Sequence, residues 1–239
     1  MHTWVKTDIK TLENILKNDL IRIEKVKTNA YNRQNYLRIL ASKKVLVLGC
    51  YGQDGSLISK SLISKGCDVI GVSRSIKKNH KNHLSLKIEK DIKVKQGDIS
   101  NFKILEKIIR QEQPDSIYNF AAQSSVGKSF IEPLETIESI ANGSLNILEV
   151  ARQMNYEGTI FFAGSSEMFG HTEEAADIKH IQKPVSSYGI AKQTSFQLVK
   201  MYREIYKLNC ITGVLFNHES PFREKDFVTQ KIITGAINC

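Results

Sequence analysis

A chain of 239 residues, 41% apolar and 25% charged, is long enough to bury a sizeable core, as one large α/β domain or a domain with an appendage. Its 34 Lys and Arg against 25 Asp and Glu leave a formal charge of +9, and, without an RNA-binding aromatic motif, zinc-finger spacing or helix-turn-helix pattern, a phosphorylated small molecule fits that charge better than nucleic acid does. No run is long enough for a bilayer, the start lacks a secretory or transit pattern, and Cys50, Cys67, Cys210 and Cys239 form no Cys-x-x-Cys pair, a reduced, cytoplasmic usage.

Residues 1–42 read apart from the rest. Thr7 is placed to cap a helix with Ile9, Leu12, Leu16 and Ile23 on one side, and a weaker helical pattern covers Tyr31 to Leu40. This is a helical extension that packs on the domain or a second copy, or else a membrane-surface or partner helix. The second unit, 43–239, opens with Val45 to Leu48, a short apolar run typical of a strand buried on both faces. Gly49, Gly52 and Gly55 follow in a Gly-x-x-Gly-x-x-Gly turn, then a helix with Leu57, Ile58 and Leu62, then a strand from Val69 to Val72. A glycine turn between strand and helix lets the backbone approach a pyrophosphate at the helix N-terminus.

The end of the second strand reads Gly71-Val-Ser-Arg74-Ser75. An acid there would suit the ribose diol of NAD; Arg74 instead offers a fork for a 2′-phosphate, which favours NADP. The alternative is that Arg74 belongs to a solvated basic loop, as much of Lys77 to Lys95 does. His80 and His83 in that loop are expected to face solvent, and no metal is expected. A third strand, Ile92 to Val94, leads to Asp98 and Ile99, with Asp98 placed for an adenine edge. A helix from Phe102 to Gln111 and a fourth strand ending at Asn119-Phe-Ala121-Ala122-Gln123 follow. Pro133 opens a helix whose stripe is Ile137, Ile140, Leu145 and Leu148. The fifth strand, Thr159 to Ala163, runs into Ser165, Ser166 and Glu167, where open parallel sheets hold their ligands. Tyr188 and Lys192, four apart, share one helix face. An ammonium beside a phenol lowers the phenol's pKa and equips it to take a proton from an alcohol. The alternation of strands and helices gives the fold class as α/β, a doubly wound parallel sheet.

Together the glycine turn, Asn119-Phe-Ala-Ala-Gln123, Ser165-Ser-Glu167 and Tyr188-x-x-x-Lys192 resemble the extended short-chain dehydrogenase/reductase family, with its Rossmann-type sheet. Gly52-Gln-Asp-Gly-Ser56, Ser165-Ser-Glu-Met-Phe-Gly170 and Leu215-Phe-Asn-His-Glu-Ser-Pro221 are similar to the GDP-mannose 4,6-dehydratases within it, over about 43–239. The resemblance implies an NADP-dependent internal redox dehydration of GDP-mannose. It assigns catalysis to Ser165, Glu167, Tyr188 and Lys192. Cofactor contacts fall to Gly49, Gly52, Gln53, Asp54, Gly55, Arg74, Asp98, Ile99, Ala121, Ala122, Tyr188, Lys192 and His218. Substrate contacts fall to Ser124, Ser166, Asn217 and Glu219. It further implies a homo-oligomer where the full family interface is present. The sequence departs from the family at Leu48, Ser125, Phe222 to Lys225 and Gln230, and family members continue past Cys239 into a substrate lobe. Two other readings stay open: a different nucleotide-sugar epimerase or dehydratase, and a catalytically silent NADP-binding fragment.

Overall fold

β1 (Lys44–Leu48) is built from Val and Leu, and every residue from Val45 to Leu48 is buried, because the strand lies at the centre of a sheet covered on both faces. The computed structural model describes residues 43–177 and 179–238; the expected N-terminal helical extension, 1–42, lies outside them. Next come α1 (Gln53–Ser64), β2 (Asp68–Ser73), α2 (Lys81–Leu86), β3 (Ile92–Gln96), α3 (Phe102–Glu112) and β4 (Ser116–Asn119). The second half holds α4 (Val126–Ile131), α5 (Pro133–Ile137), a π-helical turn (Glu138–Asn142), α6 (Gly143–Gln153) and β5 (Thr159–Ala163). A 3-10 turn (Ser166–Met168), α7 (Ser187–Ile205), β6 (Cys210–Gly213) and α8 (Val228–Ile237) complete it.

The described strands form one parallel sheet in the order β3-β2-β1-β4-β5-β6. Side chains alternate between its faces, so consecutive residues of one strand feed two different cores. Leu46, Leu48, Ile117, Ile160 and Phe162 face α3, α6 and α7, which contribute Leu105, Ile109, Ile147, Leu148 and Val199. Val45, Val47, Val69, Tyr118 and Phe161 face the other way, onto Ile58 and Leu62 of α1 and onto Ile88. Each fully buried Leu, Ile or Phe contributes about 1.5–3 kcal/mol against exposure, which makes these two layers the main source of stability.

Three local features differ from the expectations. The basic stretch after β2 contains a helix, α2, and His83 within it is buried at 2% exposure, with a ring nitrogen 2.9 Å from the carbonyl of Cys50. Burial lowers its pKa, so the ring sits neutral under the glycine turn and does not face solvent. His80 is half-buried, stacked on the ring of Tyr51 at 4.3 Å. The helix opened by Pro133 is broken: α5 ends after five residues and a π turn precedes α6.

The order reverses beside β1: the chain goes outward to β2 and β3, then returns to β4 on the other side. At such a switch point the loops above the strand tips part and leave a crevice. The sequence at the tips keeps it open. Gly49 takes a positive φ of 78°, and a Cβ there would lie 2.7 Å from the amide nitrogen of Ala121. Only glycine lets the β1 and β4 tips come this close.

Candidate active site

Gly49, Gly52, Arg74, Asp98, Ile99, Ala121 and Ala122, expected from the sequence to contact a cofactor, line a single cleft over the tips of β1, β2 and β4. Gly52 caps α1 and places no side-chain oxygen on its first-turn amides. The partial positive charge of that helix end is left to an anionic ligand, which is what a diphosphate requires. Oδ1 of Asp98 accepts from the amide and hydroxyl of Ser100, both at 2.9 Å, which fixes the carboxylate at the far end of the cleft. Arg74 stands at the mouth, exposed, with Nη1 2.9 Å from Oε1 of Glu135 on α5. The residues present therefore fit an extended dinucleotide: a glycine-lined helix end in the middle, an acid at one end, a guanidinium at its rim.

The expected catalytic residues gather at the other end of the strand tips. Ser165 caps the 3-10 turn, and its Oγ accepts from the amide of Glu167 at 3.2 Å. This turn packs on the first turn of α7, where Ser186 is the cap, accepting from the Gly189 amide at 3.0 Å. A Cβ at Gly189 would stand 2.7 Å from the carbonyl oxygen of Glu167, so the glycine sets the approach of the two turns. That approach brings Tyr188 to a hydrogen bond with the Ser165 side chain and into the field of Glu167. Tyr188 is 8% exposed and packs with Ile140 and Ala191.

The electrostatics differ from the sequence expectation. Burial raises the Tyr188 phenol above its ordinary value; the bond to Ser165 works against this, Glu167 adds to it, and the charge of Arg223 opposes it. Lys192 is half-buried, and desolvation pushes it down to about 8. Its Nζ lies 5.7 Å from the centroid of the Tyr188 ring and donates instead to the carbonyl of Ala163 at 2.8 Å. The ammonium is thus turned to the backbone at the end of β5, and burial, not Lys192, decides the position of the phenol in this structure.

The segment after β6 joins the two ends of the site. It first continues beside the 3-10 turn, with the Ser166 amide donating to the carbonyl of Leu215 at 2.9 Å. It then crosses to α1. His218 Nε2 lies 2.7 Å from Oδ1 of Asp54, and Nδ1 lies 2.8 Å from the carbonyl of Phe216; both ring nitrogens face acceptors, so both bonds need both protons. Ser220 Oγ donates to Oε1 of Gln53 at 2.8 Å. Burial alone would raise the Asp54 carboxyl, but the hydrogen bond and charge of His218, with Gln53 and Arg223, outweigh it and hold it below its usual value. Gln53, Asp54 and His218, expected as separate cofactor contacts, are joined here to one another. Asn217, Glu219 and Ser124 are exposed, and Ser166 is half-buried.

The profile of a family described as GDP-mannose 4,6 dehydratase matches residues 46–239. The chain belongs to this family. The GDP-mannose 4,6-dehydratase of Vibrio cholerae is 36% identical over 205 residues, covering 82% of this chain and 55% of the relative. GDP-mannose 4,6 dehydratase 1 of Arabidopsis thaliana is 37% identical over 201 residues, covering 80% and 56%. The chain thus spans about half the length of the curated dehydratases it matches. Its fold is shared with a dTDP-glucose 4,6-dehydratase from Streptomyces venezuelae solved with NAD, at 21% identity and a TM-score of 0.74 over 81% of this chain and 62% of that one. It is shared too with a UDP-glucose 4-epimerase from Thermus thermophilus in complex with NAD, at 24% identity and a TM-score of 0.72 over 81% and 61%.

For a GDP-mannose 4,6 dehydratase family chain, one further side chain belongs in the description of this site. Arg223 sits within the stretch where the sequence departs from the family pattern, and it was not among the expected site residues. Its guanidinium lies over the Phe227 ring at 3.7 Å, and its Nε is buried without a hydrogen-bond partner, 3.6 Å from Glu219. Its charge reaches both Asp54 and Tyr188. A positive charge held on an aromatic face was not visible in the sequence, because the arginine and the groups it influences are far apart in the chain.

Proposed function

We propose that this chain carries the cofactor and catalytic half of a GDP-mannose 4,6-dehydratase, working with NADP. The observation that carries the reading is the meeting of Ser165, Glu167 and Tyr188 at two abutting turns. A phenol and a hydroxyl suit the oxidation of an alcohol. A carboxylate beside them adds a base for a carbon acid, which a dehydration needs and a simple reduction does not.

In this reading Tyr188 takes the proton of the sugar C4 hydroxyl while Ser165 donates a hydrogen bond to the C4 oxygen. NADP, held by the glycine turn, Asp98 and Arg74, would supply the hydride acceptor for C4 and the hydride donor for C6. Glu167 removes the C5 proton, made acidic by the new C4 ketone, and its proton assists departure of the C6 hydroxyl as water. As the hydride reaches C6, C5 regains a proton, which balances the one accepted by Tyr188, and the product is GDP-4-dehydro-6-deoxy-mannose plus water, with no net oxidation. Because burial raises Tyr188, reaching the phenolate that accepts the proton depends on the positive charge of Arg223 and on the Ser165 bond. Lys192 holds the nicotinamide ribose, and the loop through His218 closes the site against α1. Arg74 supports NADP, as a guanidinium at the rim of the cleft.

The test is Glu167→Gln under single turnover, with the full chain in excess over GDP-mannose and NADP present. Loss of the dehydrated product by about 100-fold or more, read by mass spectrometry, is expected alongside unchanged NADPH binding. An unchanged rate of product formation would remove Glu167 from the reaction and take the dehydratase reading with it.

A further inference from the structure

Arg74 reaches Glu135 across 61 positions of sequence, and the two side chains meet at the mouth of the dinucleotide cleft. Both are held from behind. The Arg74 carbonyl accepts from Gln96 Nε2 at 3.1 Å, which fixes the backbone at the end of β2. Glu135 stands on α5, whose next residue, Thr136, is fully buried. Its hydroxyl donates to the Glu132 carbonyl at 2.8 Å and accepts from Gln123 Nε2 at 3.0 Å. Ser139, one turn further on, lines the cleft itself. The carboxylate therefore projects from a rigid element on the same side as the cleft wall.

We propose that Glu135 is a specificity-determining residue for the cofactor. It occupies the guanidinium that a 2′-phosphate would claim and offers an acceptor to a free 2′-hydroxyl, and so sets how strongly the chain prefers NADP over NAD. The proposal rests on the cofactor reading given above and deepens it. An acid at the adenosine ribose is the device by which dinucleotide folds favour NAD, and it normally stands at the end of the second strand. Here that position carries a basic residue, and the acid comes from the opposite wall. A doubly charged phosphate gains a guanidinium fork from Arg74 but is repelled by the carboxylate beside it. A ribose diol loses nothing to Glu135. An exposed ion pair adds little to folding, so the pair is better placed to discriminate than to stabilise.

Fluorescence titration of NADPH and NADH onto the full chain tests this, with native protein, Glu135→Gln, Glu135→Ala, Arg74→Gln and the double variant Arg74→Gln/Glu135→Gln. Both Glu135 variants are expected to raise the NADPH-to-NADH affinity ratio about tenfold, equivalent to about 1.4 kcal/mol. Glu135→Gln is expected to have a smaller effect when Arg74 is already Gln, because only the direct action of the carboxylate on the ribose or its phosphate then remains. A ratio unchanged by Glu135→Gln, or shifted equally without Arg74, would overturn the proposal. Native protein that prefers NADH while Glu135→Gln prefers NADPH would support it and overturn only the NADP assignment. Native protein that binds neither cofactor would overturn both.

Discussion

Tyr188 and Lys192 are four residues apart on α7, and the sequence supports pairing them. What it cannot carry is the direction of the lysine. Lys192 donates to the Ala163 carbonyl, so its partner is a backbone atom of β5, and its burial pushes it down to about 8. The sign of the resulting stability effect is fixed. Between about 8 and the ordinary value of 10.5, the unfolded chain still holds the proton that the folded chain has released. Stability therefore rises with pH through this window, and below it the full cost of desolvating the ammonium remains. Lys192→Met is expected to remove that rise, so the melting temperatures of native and variant protein converge from pH about 8 upward. Parallel curves across the window would show that Lys192 keeps an ordinary proton affinity. Ser165 and Glu167 were legible by type and position, after a strand that ends at the rim. Arg223 was not, since only the fold brings it near Asp54 and Tyr188.

Among the elements, the strands were the most legible, since unbroken Val, Ile and Leu runs have one home in an α/β sheet. The stretch from Pro133 shows what periodicity hides. Its apolar stripe, Ile137, Ile140, Leu145 and Leu148, contains one gap of five, and the π turn at Glu138–Asn142 absorbs the extra residue. The break turns Ser139 to the cleft while Ile140 packs on Tyr188 and Ala191. The following helix, α6, is tied to α7 by one acid. Glu149 accepts from Arg152 through two nitrogens at 2.9 Å and from the hydroxyl of Tyr202. The hydrogen bonds of Arg152, set against burial and joined by Tyr202 and Gln153, hold its carboxyl down to about 2. Its contribution is complete above the ordinary value of 4.5 and is lost as pH falls from there toward 2. Glu149→Gln is expected to lower the melting temperature at neutral pH by several degrees and to flatten its fall through this acid range. An equally steep fall in the variant would assign the acid sensitivity elsewhere.

At the scale of the molecule, the described residues form a full parallel sheet with its cleft, while α8 buries none of its residues and leaves Val228, Ile232, Ile233 and Ile237 exposed. The doubly wound sheet was readable from alternation alone. β6 and the path of residues 214–223 back to α1 were not, because short strands and loops take their shape from partners distant in sequence. Among the described residues no helix is long and apolar enough to cross a membrane. The reversal of strand order beside β1 has a further consequence, for how the molecule is made. β1 pairs with β4, and the Lys44 amide donates to Asp115 at 2.7 Å, closing 71 residues of chain. During synthesis β1, β2 and β3 emerge first, and the inner edge of β1 stays unpaired until β4 arrives. The middle of the finished sheet is therefore an open edge in the nascent chain, and its closure carries the largest loop entropy of the early fold.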